Sequence, residues 1–306
     1  MNASSAPHLI DAKTLAEIES LHLRARVVAD SILAGVHRSR HHGTSAEFAE
    51  HKEYAPGDDL RNLDWRAYAR LDRDFVKRFE DESNLRALCV VDSSGSMGYP
   101  VDDPSRLSKL AYACTCAAAL TYVLARQGDA VGFASYAETL HILVPARARR
   151  GHTQELLAAI STLAASGPSR LQAVIDTLAE GLRQRTIVII FSDLLDGGLE
   201  ALDTLARLRA RGHDVAVFHV MDPDELQFPF EDTTRFTSLE DDREVQIDGR
   251  AIRNAYLDEV QRFRRAAAQR CAASRVDYRL APSDTAPGRL LADFLNERLR
   301  SRATVR

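Results

Sequence analysis

Two short, unbroken apolar runs in this chain each end in an aspartate. Leu88-Cys89-Val90-Val91 runs directly into Asp92, and residues 186–191 (TIVIIF) run into Ser192-Asp193. Runs of this length and composition, with no polar alternation, suit strands buried on both faces. Further strands are expected at 130–135, 214–220 and 276–280, the first an apolar run of the same kind, with helical patterns between most of them. Strand–helix alternation with apolar strands predicts an α/β fold. The expected architecture is a doubly wound, mostly parallel, Rossmann-like sheet with helices on both faces. Residues 139–144 (TLHILV) come only a few residues after the 130–135 run, so these two strands should pair as a hairpin. That makes one strand of the sheet antiparallel.

Before this grammar begins, residues 9–36 carry Leu15, Ile18, Leu21, Ala25, Val28, Ile32 and Leu33 at three-to-four spacing, which predicts an amphipathic helix. The stretch HRSRHHGTS at 37–45 reads as a hinge, and its His37, His41 and His42 as polar hinge residues rather than metal ligands. Residues 46–83 are dense in charge and lack helical periodicity, which suits short strands and turns around Pro56-Gly57-Asp58-Asp59. The expected organisation is therefore an N-terminal helix and hinge over 1–45, a small β-rich segment over 46–85, and the α/β domain over 86–301 with a hairpin inserted near 222–249. Within the last, Asp103-Pro104 reads as a helix start. Helices are expected at 153–163, 170–182, 199–210, 250–273 and 288–300.

Composition excludes several classes of function. With 40 basic and 44 acidic residues the formal charge is −4, which gives no pull toward nucleic acid or an acidic membrane. The four cysteines, Cys89, Cys114, Cys116 and Cys271, lie in apolar runs without CxxC spacing, so neither disulfides nor a zinc site is expected. The first twenty residues do not read as a signal peptide, and no window approaches the ~18 apolar residues of a spanning helix. A cytoplasmic location is the expectation.

In an open α/β sheet, ligands bind beyond the carboxyl ends of the strands, where the strand order reverses. If the strands ending at Asp92 and Asp193 are neighbours there, two carboxylates converge. Such a pair repels unless a cation or a proton sits between them. The loop after Asp92 favours a cation, because Ser94 and Ser96 alternate with it along a tight turn opened by Gly95. A carboxylate and two hydroxyls are hard oxygen donors, suited to magnesium, manganese or calcium rather than zinc. The competing reading is a loop whose Asp and Ser side chains only cap helix amides.

Asp92-Ser93-Ser94-Gly95-Ser96 resembles the DxSxS motif of the metal-ion-dependent adhesion site in von Willebrand factor A domains. That family carries a threonine in a Gly-Gly-Thr-like loop further on, and here Ser166-Gly167-Pro168-Ser169 lies at that place, so the resemblance makes Ser169 the stand-in. Thr153 is a poorer alternative. Asp193 matches the family's second aspartate. The resemblance implies that Ser94, Ser96 and Ser169 touch the metal directly, while Asp92 and Asp193 reach it largely through water.

A second resemblance runs from Glu53-Tyr54-Ala55-Pro56-Gly57-Asp58-Asp59-Leu60-Arg61 through Asp64-Trp65 to Ala69-Arg70, with a further stretch at Asp222-Pro223-Asp224-Glu225. It is similar to the signature of the bacterial family catalogued as domain of unknown function 58, which joins this signature to a von Willebrand-like domain. Members of that family are often encoded beside MoxR-type AAA+ ATPases, which implies a role in assembling or remodelling protein complexes, metal insertion included. From the residues themselves, the mixed charges at Asp58, Asp59, Arg61, Asp64, Arg66 and Arg70 read as a salt-bridged turn, and Trp65 as a packing anchor.

Enzyme motifs are missing. The chain has no GxxxxGKS/T phosphate loop, no GxGxxG after the first strand and no GxSxG elbow, and an aspartyl-phosphate chemistry would want an Asp where Ser94 stands. The expected function is a non-enzymatic interaction module. It binds a partner's Asp or Glu through a divalent ion, magnesium first and manganese or calcium as alternatives, and works with a MoxR-type ATPase. A metal-dependent hydrolase or phosphatase, or a scaffold with no bound metal, are the other readings.

Overall fold

The structure is a computed structural model. It describes residues 10–41, 51–53, 75–77, 85–101, 103–195, 199–241 and 243–304. The chain divides into two compact units, one of residues 35–84 and one of residues 1–34 with 85–306. In the smaller, strand β1 (His51–Glu53) pairs antiparallel with β2 (Phe75–Lys77). The segment from Tyr54 to Arg70, Trp65 included, and His42 lie outside the described residues.

The larger unit is built on a six-stranded sheet. Its strands are β3 (Arg86–Asp92), β4 (Ala130–Tyr136), β5 (Leu140–Arg147), β6 (Ile187–Ser192), β7 (Asp214–Met221) and β10 (Asp277–Pro282). The spatial order is β10-β7-β6-β3-β4-β5, and every pairing is parallel except β4 with β5. This is the expected doubly wound, mostly parallel α/β sheet with one antiparallel edge strand. From β3 the chain first builds outward through β4 to β5, then returns to place β6 on the other side of β3. The order therefore reverses between β3 and β6.

Period-two alternation decides what each face of the sheet packs against. Leu88, Val90, Ala134, Tyr136, Val188, Ile190, Val215 and Val217 turn to one side. There they join Leu171, Val174, Ile175 and Leu178 of α5 (Leu171–Gly181), Leu202, Leu205 and Leu208 of α6 (Glu200–Ala210), and Ala267 and Cys271 of α8 (Gly249–Ala273). Phe191 and Phe218 point the other way and stack at 4.9 Å. Phe218 then meets the edge of Phe294, which lies in α9 (Pro287–Thr304). On that side α9 and α4 (His152–Ser161) both pack against α3 (Lys109–Arg126). Helix α3 is alanine-rich and buried almost all round, as a helix between a sheet and two neighbours must be. All four cysteines are buried and free.

Three expectations shift. The single helix over 9–36 is two, α1 (Ala12–Ala16) and α2 (Leu21–His41). The apolar stripe runs through the break, but Ser20 starts a new helix by accepting the Leu23 and Arg24 amides on its hydroxyl and carbonyl. The helix expected from Asp103 begins only at Lys109. Asp103 instead binds Ser105 and Arg106 in a local turn, and Ser108 caps the helix by accepting the Ala111 amide. The 222–249 insertion holds the expected hairpin, β8 (Thr233–Thr237) with β9 (Glu244–Asp248). It is preceded by a short helix α7 (Pro223–Gln227), closed by a capping box between Asp222 and Glu225, that periodicity did not suggest.

Candidate metal centre

Asp92 is the last residue of β3 and is fully buried. Its Oδ1 accepts the Ser94 amide at 2.9 Å, which turns the chain off the sheet. Two backbone bonds then tie this loop to the one before α5. Ser166 N–H donates to the Ser93 carbonyl at 2.9 Å, and Gly95 N–H donates to the Gly167 carbonyl at 2.8 Å. These bonds bring Ser169, distant in sequence, to the sheet edge. Its hydroxyl donates to Asp92 Oδ2 at 3.1 Å. The hydroxyls of Ser192 and Tyr136 donate to the same oxygen at 2.8 and 3.1 Å.

Asp193 follows β6, on the strand next to Asp92. The Ser94 and Ser96 oxygens lie 3.2 Å apart, and the Ser96 hydroxyl is among the groups that lower the Asp193 pKa. The five residues singled out in the sequence, Asp92, Ser94, Ser96, Ser169 and Asp193, thus meet at the crevice where the strand order reverses. Four of them are buried, and Ser96 alone is part-exposed. Leu194, just after Asp193, has φ 58°, a left-handed conformation that a leucine avoids unless its surroundings impose it. One constraint is His219 in β7, whose Nε2–H donates to the Asp193 carbonyl at 2.9 Å while its Nδ1 accepts from the Tyr278 hydroxyl at 2.7 Å. Burial pushes the His219 pKa down to about 4, so the ring is neutral at pH 7.

The two aspartates differ in charge balance. Burial first, and then the charge of Asp193, push the Asp92 pKa up to about 6, and only neutral groups hydrogen-bond to its carboxylate. Burial also works against the Asp193 carboxylate. Lys109 overrides it and holds that pKa below the usual range, its Nζ lying 2.8 Å from Asp193 Oδ2. The same ammonium reaches Glu225 Oε1 at 2.6 Å. Two of the three carboxylates at this edge, Asp193 and Glu225, therefore share one ammonium.

Lys109, Glu225, Tyr136, Ser192 and His219 were not singled out as site residues by the sequence. No signal marked Lys109, because its place in the first turn of α3 emerges only once the helix is seen to start at 109 rather than 103. Glu225 stood inside the Asp222-Pro223-Asp224-Glu225 stretch.

The donor set fits a hard divalent cation. Two carboxylates repel across a buried crevice, serine hydroxyls lie beside them, and among the described residues no cationic side chain pairs with Asp92. Among the described residues, no group of three or more His, Cys, Asp and Glu is arranged to hold an ion. An ion here would therefore rest on serine hydroxyls as well as carboxylates. The tip of the β8–β9 hairpin crosses the loop closely. A Cβ on Gly95 would lie 2.0 Å from the Leu239 carbonyl oxygen, so glycine is required there.

Uncharacterized proteins of Mycobacterium tuberculosis (Rv1480) and Mycobacterium bovis (Mb1516) are each 30% identical over 222 residues, covering 72% of this chain and 68% of theirs. Among solved structures, the conserved hypothetical protein BatB from Bacteroides thetaiotaomicron aligns at 14% identity with a TM-score of 0.46, over 71% of this chain and 99% of that one. The SpRpn10 VWA domain aligns at 12% identity with a TM-score of 0.39, over 68% and 93%. No helix among the described residues is long and apolar enough to cross a membrane. The model for "Protein of unknown function DUF58" matches residues 50–266, well over half of the sequence, and the chain belongs to that family.

Proposed function

We propose that the chain is a non-enzymatic interaction module that binds a carboxylate of a protein partner through a divalent ion held by Asp92, Ser94, Ser96, Ser169 and Asp193. The supporting observation is the convergence of Asp92 and Asp193 around serine hydroxyls, with Asp92 uncompensated. The bound ion would supply an open position for a partner's Asp or Glu, and the part-exposed Ser96 marks the side from which that group approaches. Magnesium is the first choice for an all-oxygen donor set. The proposed partner is a MoxR-type AAA+ ATPase, and the proposed role is assembly of protein complexes or metal insertion, in the cytoplasm. A hydrolase is disfavoured, because the imidazole bonded to the site, His219, has both ring nitrogens engaged and is buried. The metal-free scaffold is the second reading, favoured by the Lys109 ammonium on Asp193.

Calorimetric titration with magnesium and manganese tests the ion. Saturable heat in the wild type that Ser94→Ala abolishes is the expected result, and equal negligible heats in both would leave the scaffold reading. Size-exclusion co-elution with a MoxR-type ATPase, present with magnesium and lost with EDTA, tests the partner. Co-elution that ignores EDTA would detach the partner from the ion.

A further inference from the structure

Lys109 is placed against ordinary preference. Its side chain is 1% exposed, and lysine is almost never buried to that degree without a partner. It is also the first residue of α3, where the helix dipole disfavours positive charge. Two carboxylates hold it there, Asp193 at 2.8 Å and Glu225 at 2.6 Å. Glu225 is itself fixed, because its Oε2 accepts the Asp222 amide at 2.7 Å in the capping box of α7. Asp222 in turn receives Arg106 at 3.0 Å and the Ser283 hydroxyl at 3.2 Å. The ammonium is thus clamped between the loop after β6 and the start of α7. It cannot leave Asp193 without giving up a position built for it.

We propose that Lys109 is a resident counter-ion of the centre, holding Asp193 and its loop in place when no ion is bound and lowering the affinity of the site for the divalent ion. This rests on the metal reading above and adds the element that tunes it. Opposite charge shared with the ammonium is no longer fully available to an entering cation. Within a few ångströms in a partly buried site, removing one unit of repulsion changes affinity by about tenfold or more. Glu225 works in the opposite sense, since it draws part of the ammonium's charge away from Asp193.

The test is manganese titration by calorimetry on the full chain, wild type beside Lys109→Met, Glu225→Gln and Ser94→Ala, with thermal melts in EDTA. The Met variant is expected to bind manganese about tenfold more tightly. It should also melt lower in EDTA and gain more from the metal than the wild type does. The Gln variant leaves the ammonium wholly to Asp193 and is expected to bind about threefold more weakly while staying folded. A purely structural lysine would lower the melting temperature without tightening manganese binding. If Lys109→Met fails to fold without metal, Glu225→Gln carries the test. Manganese affinity in Glu225→Gln equal to or tighter than wild type, or weaker binding in Lys109→Met, overturns the counter-ion role. A wild type that gives no Ser94-dependent heat removes the metal reading itself, and this inference with it.

Discussion

Replacing Asp92 by Asn should make the metal-free protein more stable at neutral pH, although it deletes a buried, four-fold hydrogen-bonded side chain. The folded-state pKa of Asp92 is about 6, against an ordinary value of 3.8. A difference of roughly two units corresponds to about 3 kcal/mol of penalty on the charged form. Asn does not carry that penalty, and its carbonyl can keep the Ser94 amide. Its NH2 faces three hydroxyls that now donate to Oδ2, and these must turn to accept it, which offsets part of the gain. A net stabilisation of about 1–2 kcal/mol remains, or about 4 °C in Tm for a domain of this size. The sign fixes the pH window. A carboxyl with a raised folded pKa binds its proton more tightly when folded, so wild-type stability falls as pH rises from about 4 to about 6 and is level above. Thermal melts in EDTA should therefore show the full Asp92→Asn advantage at pH 7.5, almost none near pH 5, and a disadvantage near pH 4, where only the offset from the turned hydroxyls remains. Magnesium should reverse the order by stabilising only the wild type. A variant less stable than wild type in EDTA at pH 7.5, or an advantage that does not change between pH 5 and 7.5, would refute the charge argument.

Two further substitutions test the scaffold around the centre. Gly95→Ala puts a methyl group 2.0 Å from the Leu239 carbonyl oxygen, a backbone atom, so the hairpin tip must shift, at about 1–3 kcal/mol. Amide exchange should quicken at residues 238–241, and unchanged exchange there would mean that the tip does not rest on the loop. Ile190→Ala empties a fully buried position on the β6 face that packs α5 and α6. The denaturation midpoint should fall by an amount worth about 3–4 kcal/mol with an unchanged slope, and a loss under about 1 kcal/mol would mean that this face is not the close-packed core described.

The strands were legible because burial on both faces leaves a plain mark. β3 and β6 are unbroken apolar runs, rich in valine and isoleucine, bounded by charged or turn-forming residues. The antiparallel edge was legible from the short connection between β4 and β5. Helix ends were less so. At Asp103 the helix-start chemistry was genuine but was spent on a local turn with Ser105 and Arg106, and Ser108 capped the helix instead. Of the candidate site, Asp92, Ser94 and Ser96 lie within one five-residue motif, whereas Ser169 and Asp193 could be placed only by their order after it.

The ammonium was the part with no local signature. Lys109 meets Asp193 and Glu225 across separations of 84 and 116 residues, joined only by the fold. That omission changes the chemistry rather than a detail of it. A motif of two carboxylates and three hydroxyls looks like a site short of two positive charges. Lys109 and Glu225 together leave that net charge unchanged but distribute it unevenly, with Asp193 paired to a fixed ammonium and Asp92 held by neutral groups alone, and on the proposed counter-ion role such a centre stands without metal and binds it only moderately. On the proposed counter-ion role, whether such a loop works as a permanent cofactor site or as one that fills and empties with ion concentration depends on that neighbouring charge, not on the DxSxS spacing. Two chains with identical motifs can therefore differ in metal affinity by the identity of one buried residue at the start of the next helix.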